Sequence, residues 1–194
     1  DPDTRAALEK ALTDANPSVR LRAAAALAKS GDVAATRVLG DFLGDRSDSA
    51  RMQSAEVLGH LGIREAAPAL RRLLKDANPY VRLYAAEALT RLGVPQGRHV
   101  LVRSLDHSNR SVALYAAEAL SNLGDAAGAE RLVETLGPYH DASVRLYAAW
   151  TLARLNDARG LPTLEELCRH PDAQVRMQAV WTLGELRDGG GVPG

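Results

Sequence analysis

The residues of this chain that could do chemistry fall into two groups. Metal binding or nucleophilic attack would fall to five histidines, His60, His99, His107, His140 and His170, and to the single cysteine, Cys168. A metal centre needs three or four ligands brought together by a shared spacing, and these histidines have none. Cys168 lies where Leu43, Leu74 and Leu105 lie at multiples of about 31 residues, which marks it as a small core residue rather than a nucleophile. No phosphate-cradling glycine loop or nucleophile motif occurs. The expectation is no catalysis, no metal and no cofactor.

Binding chemistry is better supplied. Trp150 and Trp181 are the only tryptophans, and Tyr84, Tyr115 and Tyr147 recur at nearly constant spacing, as do Glu56, Glu87 and Glu118. Tryptophan and tyrosine are enriched among binding hot spots, and a row of carboxylates suits a partner with basic residues.

The whole-chain balance narrows the partners. Lysine plus arginine equals aspartate plus glutamate at 24 each, so formal net charge is zero, which disfavours a general nucleic-acid binder. No apolar run is long enough to span a bilayer, and no signal-peptide pattern opens the chain. A lone cysteine forms no intrachain disulfide, and the expected setting is cytoplasmic. Aromatic residues are only 4% of the chain, while alanine and leucine dominate. That composition favours closely packed helices and disfavours strands. The start at Asp1 reads as a processed or excised piece, and residues 189–194, rich in glycine, read as a flexible tail or linker.

The elements that position these residues come from a repeat. One segment recurs six times, beginning at Asn16 (NPSVRLRAAAALAKSG), Ser47, Asn78 (NPYVRLYAAEALTRLG), Asn109, Asp141 and Asp172. Successive starts are 31, 31, 31, 32 and 31 residues apart. Each copy opens on Asn, Ser or Asp, whose side-chain oxygen can cap a helix start. Five copies close on Gly31, Gly62, Gly93, Gly124 or Asn156, which tolerate the left-handed turn that ends a helix. The spacing predicts inner helices over roughly 17–29, 48–60, 79–91, 110–122, 142–154 and 173–186. Amphipathic stretches between them read as outer helices, with Pro68 and Pro162 in first turns, and the 32-residue step predicts a longer turn near Gly137-Pro138-Tyr139. The expected fold is all-α, a single solenoid over 1–188 of six helix-pair repeats, approximately 1–31, 32–62, 63–93, 94–124, 125–156 and 157–188.

Numbering each inner helix from the residue before its usual arginine and turning about 100° per residue places Val81, Ala85, Ala88, Leu89 and Leu92 on one side. Leu83, Ala86 and Thr90 extend that arc past half the circumference. The residues outside it fall three, six and ten positions along. They make the candidate partner-binding face: Gln53, Glu56, Tyr84, Glu87, Arg91, Tyr115, Glu118, Tyr147, Trp150, Arg154, Gln178 and Trp181. Helices packed about 8–10 Å apart would align these as ladders. Arg20, Arg51, Arg82, Arg145 and Arg176 fall inside the arc, where a buried cation needs partners. Asp14, Asp45 and Asp76, six residues earlier, are the expected ones.

The unit from Asp76 to Gly93, D-x-N-P-x-V-R-x-x-A-A-x-A-L-x-x-L-G, resembles the short HEAT-like repeats of the phycobilin lyase type over essentially the whole chain. The resemblance implies a right-handed superhelix with the second helix of each pair lining the concave side. Deoxyhypusine hydroxylase, another such protein, carries His-Glu pairs two and three positions along the inner helix as iron ligands. Here those positions hold Leu21-Arg22, Met52-Gln53, Leu83-Tyr84, Leu114-Tyr115, Leu146-Tyr147 and Met177-Gln178, so that activity does not carry over. The functional expectation is a non-catalytic scaffold that binds a protein or peptide with basic residues on the concave face. The alternatives are a bilin-lyase-like subunit acting on a chromophore protein and, disfavoured by charge, a HEAT-like DNA glycosylase. The polar residues Asp1, Asp3, Arg5 and Glu9 read as an end cap, whereas Val180 leaves the far end open to continuation or self-association.

Overall fold

The computed structural model describes residues 2–188, with side chains described as far as Leu186, so the expected tail at 189–194 lies outside the described residues. Among these, all regular structure is helical. The pairs run α1 (Pro2–Ala11) and α2 (Pro17–Ala28), α3 (Val33–Phe42) and α4 (Asp48–His60), α5 (Ala67–Leu73) and α6 (Pro79–Arg91), α7 (Pro95–Ser104) and α8 (Arg110–Asn122), α9 (Ala126–Thr135) and α10 (Ala142–Arg154), α11 (Leu161–Leu167) and α12 (Ala173–Asp188). The inner helices lie within two residues of the predicted bounds. Short 3-10 turns, Arg64–Ala66 and Ala158–Gly160, precede α5 and α11.

Local chemistry sets these ends. The side-chain oxygens of Asn16, Ser47, Asn78, Asn109 and Asp172 accept backbone N–H groups of their own first turns. Asp141 departs from the expectation, because its carboxylate pairs with Arg110 at 2.6 Å and makes no cap. The closing residues behave as their types require: Gly31, Gly62, Gly93 and Gly124 have φ between 69° and 83°, and Asn156 has φ 61°. The inserted residue widens the turn ahead of α10, where Tyr139 is almost fully exposed.

The arginine expectation needs correction. Arg20, Arg51, Arg82 and Arg176 each donate Nη1 to the two backbone carbonyls six and five residues earlier, for Arg82 those of Asp76 at 2.7 Å and Ala77 at 3.0 Å. Those carbonyls lie in the turn between outer and inner helix, three and four residues past the last residue of the outer helix. The carboxylates of Asp14, Asp45 and Asp76 instead accept the N–H two residues on, tightening the turn into the inner helix. Arg51 also meets two aspartates, Asp48 of its own helix at 2.5 Å and Asp76 of the next repeat at 2.9 Å, the second a pair along the stack. Arg145, displaced by the longer turn, reaches Leu136 O at 2.8 Å and grips Glu166 through both nitrogens, at 3.1 and 2.6 Å. That cation holds the Glu166 carboxyl below the usual carboxylate range.

Packing groups the chain into two compact units, residues up to Leu101 and residues from Val102 on, with the dividing point inside α7. In the first, Leu27, Leu39, Leu58, Leu70 and Leu89 are fully buried; in the second, Leu132, Leu152, Leu164 and Leu167 are. Each such leucine contributes about 1.5–3 kcal/mol by leaving water. Helices approach closely at some glycines. A Cβ on Gly59 would come within 2.6 Å of Ala88 Cα, and one on Gly128 within 2.4 Å of the Ala117 carbonyl oxygen and 2.5 Å of the Ser121 nitrogen.

Two substitutions test this packing by chemical denaturation followed by circular dichroism. Gly128→Ala should lower stability by about 1–3 kcal/mol through overpacking, whereas Gly40→Ala, with nothing within 4 Å in α3, should raise it by up to about 1 kcal/mol. Equal effects would contradict the close approach. Arg82→Met should cost about 1–3 kcal/mol by stranding two carbonyls in the turn between α5 and α6, and a neutral result would show that water replaces the arginine.

Candidate protein-binding surface

Four of the predicted residues come together in the second unit. Tyr147, Trp150 and Arg154 project from α10 at spacings of three, four and seven, which share one helix face. The Tyr147 hydroxyl donates to Glu118 of α8, and Arg154 Nη2 donates to the other Glu118 oxygen at 2.8 Å. The Arg154 guanidinium lies 5.1 Å from the Trp150 ring centroid, a cation–π distance, and the Tyr147 and Trp150 rings stand 5.9 Å apart, tilted by 47°. Burial first, then the hydrogen bond and charge of Glu118, push the Tyr147 phenol well above the usual tyrosine range. It therefore stays a neutral donor at physiological pH. The cluster is ordered before any partner arrives, because every polar member holds another.

Tyr115 is half-buried on α8, and Gln178 is exposed on α12. Trp181, also on α12, is 63% exposed, whereas Trp150 is half-buried among its neighbours. The same ring type at the same register thus offers two different surfaces.

In the first unit, Tyr84 packs against the core cluster, and Arg91 pairs with Glu87 on its own helix at 2.8 Å. Gln53 is exposed and hydrogen-bonds Ser49 at 3.3 Å; Glu56 is exposed, its backbone carbonyl lying 2.9 Å from His60 Nδ1. Two members of the glutamate row, Glu87 and Glu118, are therefore neutralised by arginines. The row is less acidic than its sequence suggests.

The histidines find ordinary work that sequence reading missed. His107 Nδ1 accepts the Asn109 N–H at 3.0 Å and His170 Nδ1 the Asp172 N–H at 3.1 Å. These are the bonds that Asp14, Asp45 and Asp76 make, and alignment of the copies places both histidines in the aspartate column. Among the described residues, no group of three or more His, Cys, Asp or Glu is placed to hold a metal ion, and no helix is long and apolar enough to cross a membrane. Cys168 is half-buried at the end of α11.

A chain of paired helices in a repeat of about 31 residues, each inner helix showing its neighbours small side chains and the outside its aromatic and charged ones, is an all-α helical repeat protein. The family described as HEAT repeats matches residues 1–59, 36–121, 67–141 and 138–193, and the chain belongs to it. The solved complex of CpcE and CpcF of phycocyanin lyase from Nostoc sp. PCC7120 is similar at 22% identity and TM-score 0.50, over 95% of this chain and 94% of that one. Human deoxyhypusine hydroxylase is similar at 18% identity and TM-score 0.45, over 96% of each chain. An engineered protein is similar at 25% identity and TM-score 0.40, over 98% of this chain and 99% of that one. These likenesses concern the fold. Comparison with curated proteins finds no match.

The Tyr147 hydrogen bond has a pH signature. The fold holds the protonated phenol, so its contribution is intact below about pH 10, the unfolded value, and is lost as pH rises beyond it. Spectrophotometric titration should show a late-ionising tyrosine component that is reduced in Tyr147→Phe; an unchanged titration curve in that variant would contradict the assignment.

Proposed function

We propose that the protein is a non-catalytic, cytoplasmic interaction scaffold that binds a protein or peptide segment along its inner-helix face. The observation that carries this reading is the ordered cluster of Tyr147, Trp150, Arg154 and Glu118. Rings held in place before binding lose little entropy when a partner covers them, so their area converts efficiently into affinity. The reading takes residues 1–188 as one solenoid, which the family matches over 36–121 and 67–141 support, since both run across residue 101. Gln53, Glu56, Tyr84, Glu87 and Arg91 would extend the contact in the first unit, and Tyr115, Gln178 and Trp181 in the second. With Glu87 and Glu118 engaged by arginines, Glu56 is the carboxylate best placed to meet a basic residue of the partner.

The test uses peptides selected on the protein from a random display library, with affinity measured by fluorescence anisotropy. Trp150→Ala should weaken binding at least about tenfold, as hot-spot truncations do, while Gln96→Ala on α7 should leave it within about twofold. Equal affinities for the two variants would exclude this face.

A bilin-lyase-like subunit remains the rival, favoured by the exposed ring of Trp181 beside the half-buried one of Trp150 and by the fold shared with the CpcE–CpcF chain. Adding phycocyanobilin should then shift its visible absorbance in a Trp150-dependent way. No shift is the outcome expected of the scaffold.

A further inference from the structure

Exposed large hydrophobic side chains are concentrated at the two ends of the repeat array. Of six such residues among the described ones, Met177, Val180 and Trp181 lie on α12, and Val19 lies on α2. At the same register inside the chain, the side chains are buried. Leu83 and Ala86, equivalent to Met177 and Val180, are 0% exposed, and Val81, equivalent to Val19, is also 0%. Ala26 is exposed where its equivalent Ala88 is 2%. Each end thus shows the half of a junction that an adjoining repeat covers elsewhere.

The two halves match. Internal junctions are built from register contacts that reach from one inner helix to the next. Gly59 of α4 admits Ala88 of α6, and Arg51 reaches forward to Asp76. Glu118 of α8 receives Tyr147 and Arg154 of α10, and Arg154 also lies 3.5 Å from Asn122. Carried off the end of α12, the same register makes Gly184 the equivalent of Gly59, Arg176 of Arg51, Trp181 of Glu118 and Glu185 of Asn122. Carried back to α2, it makes Ala26 the equivalent of Ala88, Asp14 of Asp76, Arg22 of Tyr147 and Lys29 of Arg154.

Every resulting pair is chemically complementary. Gly184 would admit Ala26, and a Cβ at Gly184 now meets nothing within 4 Å. Arg176 already donates Nη1 to the His170 and Pro171 carbonyls, as Arg51 does to those of Asp45 and Arg46. Its remaining nitrogens would take Asp14 as Arg51 takes Asp76. Trp181 would sit between Arg22 and Lys29 as Glu118 sits between Tyr147 and Arg154, its ring facing two cations, and Glu185 would oppose Lys29. The receiving end also carries an open groove of about 640 Å³, floored by Leu8, Ala26 and Leu27 between α1 and α2.

From this complementarity we propose that the protein associates head to tail with further copies of itself, α12 of one copy packing on α1 and α2 of the next. The contact is heterologous, so it does not close on a pair and extends into an open chain or ring. It would also carry the aromatic ladder from one copy to the next, since Trp181 lies at the join.

Sedimentation velocity of the 194-residue chain over a concentration series tests this. The wild-type weight-average mass should rise with concentration beyond that of a dimer. Val180→Asp, at a site exposed in the free chain, should weaken association at least about tenfold, with helicity unchanged by circular dichroism. Lys29→Glu and Glu185→Lys should each weaken it several-fold. Their equimolar mixture should restore it, because each junction can then join opposite charges. A monomer mass at every concentration would overturn the proposal, as would a Val180→Asp variant that associates like wild type. A mixture no stronger than its components would also overturn it. So would association that responds to Glu185→Lys alone, the mark of an α12-to-α12 contact. None of these substitutions touches Tyr147 or Trp150, so peptide binding reads independently.

Discussion

Close approach of neighbouring inner helices is the constraint on which the rest of the structure depends. A missing side chain permits it, Gly59 against Ala88, and an outer helix comes as near where Gly128 of α9 meets the Ala117 carbonyl and the Ser121 backbone of α8. With helices this near, rotation of one against another is fixed by interlocking small residues rather than by large interdigitating ones. Rotation in turn decides which three positions of each inner helix stay outside the packed arc. A bulkier residue at any of these contacts would move the aromatic and charged side chains as well as loosen the core.

The arginines serve the same geometry from the other side of each pair. By donating to carbonyls of the turn after an outer helix, Arg20, Arg51, Arg82 and Arg176 tie that turn to the inner helix it leads into. The guanidinium is met there by two backbone carbonyl oxygens that accept its N–H groups. One side chain thus holds the turn, and in Arg51 the following repeat as well, through Asp76. Repeat four lacks this arginine, having Ala113 in its place. There Arg131 pairs with Asp106 and Arg110 with Asp141.

On the outer face the stitching between repeats and the surface offered to a partner are the same residues. Glu118 is shared by Tyr147 and Arg154, and Arg154 also covers Trp150. A partner approaching this cluster meets a preorganised aromatic surface with a cation at its edge rather than a strip of free carboxylates. That separates the second unit from Glu56 in the first, which stays exposed.

The helices, their ends and their repeat were legible in the residues, because each rests on local signals: an Asn, Ser or Asp at the start, a glycine or Asn156 at the close, and an apolar period between. The phase of each inner helix was legible for the same reason. What needed the tertiary structure was the choice of partner wherever several were within reach. Sequence spacing offered Asp14, Asp45 and Asp76 to the arginines along the stack, but those carboxylates accept adjacent N–H groups and the arginines go to carbonyls of the turn, with Asp76 meeting Arg51 of the preceding repeat as well. Trp150 and Trp181 are equivalent by register, yet one is half-covered and the other open, since only the first has a tyrosine and an arginine beside it. Periodicity specifies the side of a helix a residue occupies; distances of a few ångströms between repeats, which no spacing encodes, decide what it touches there.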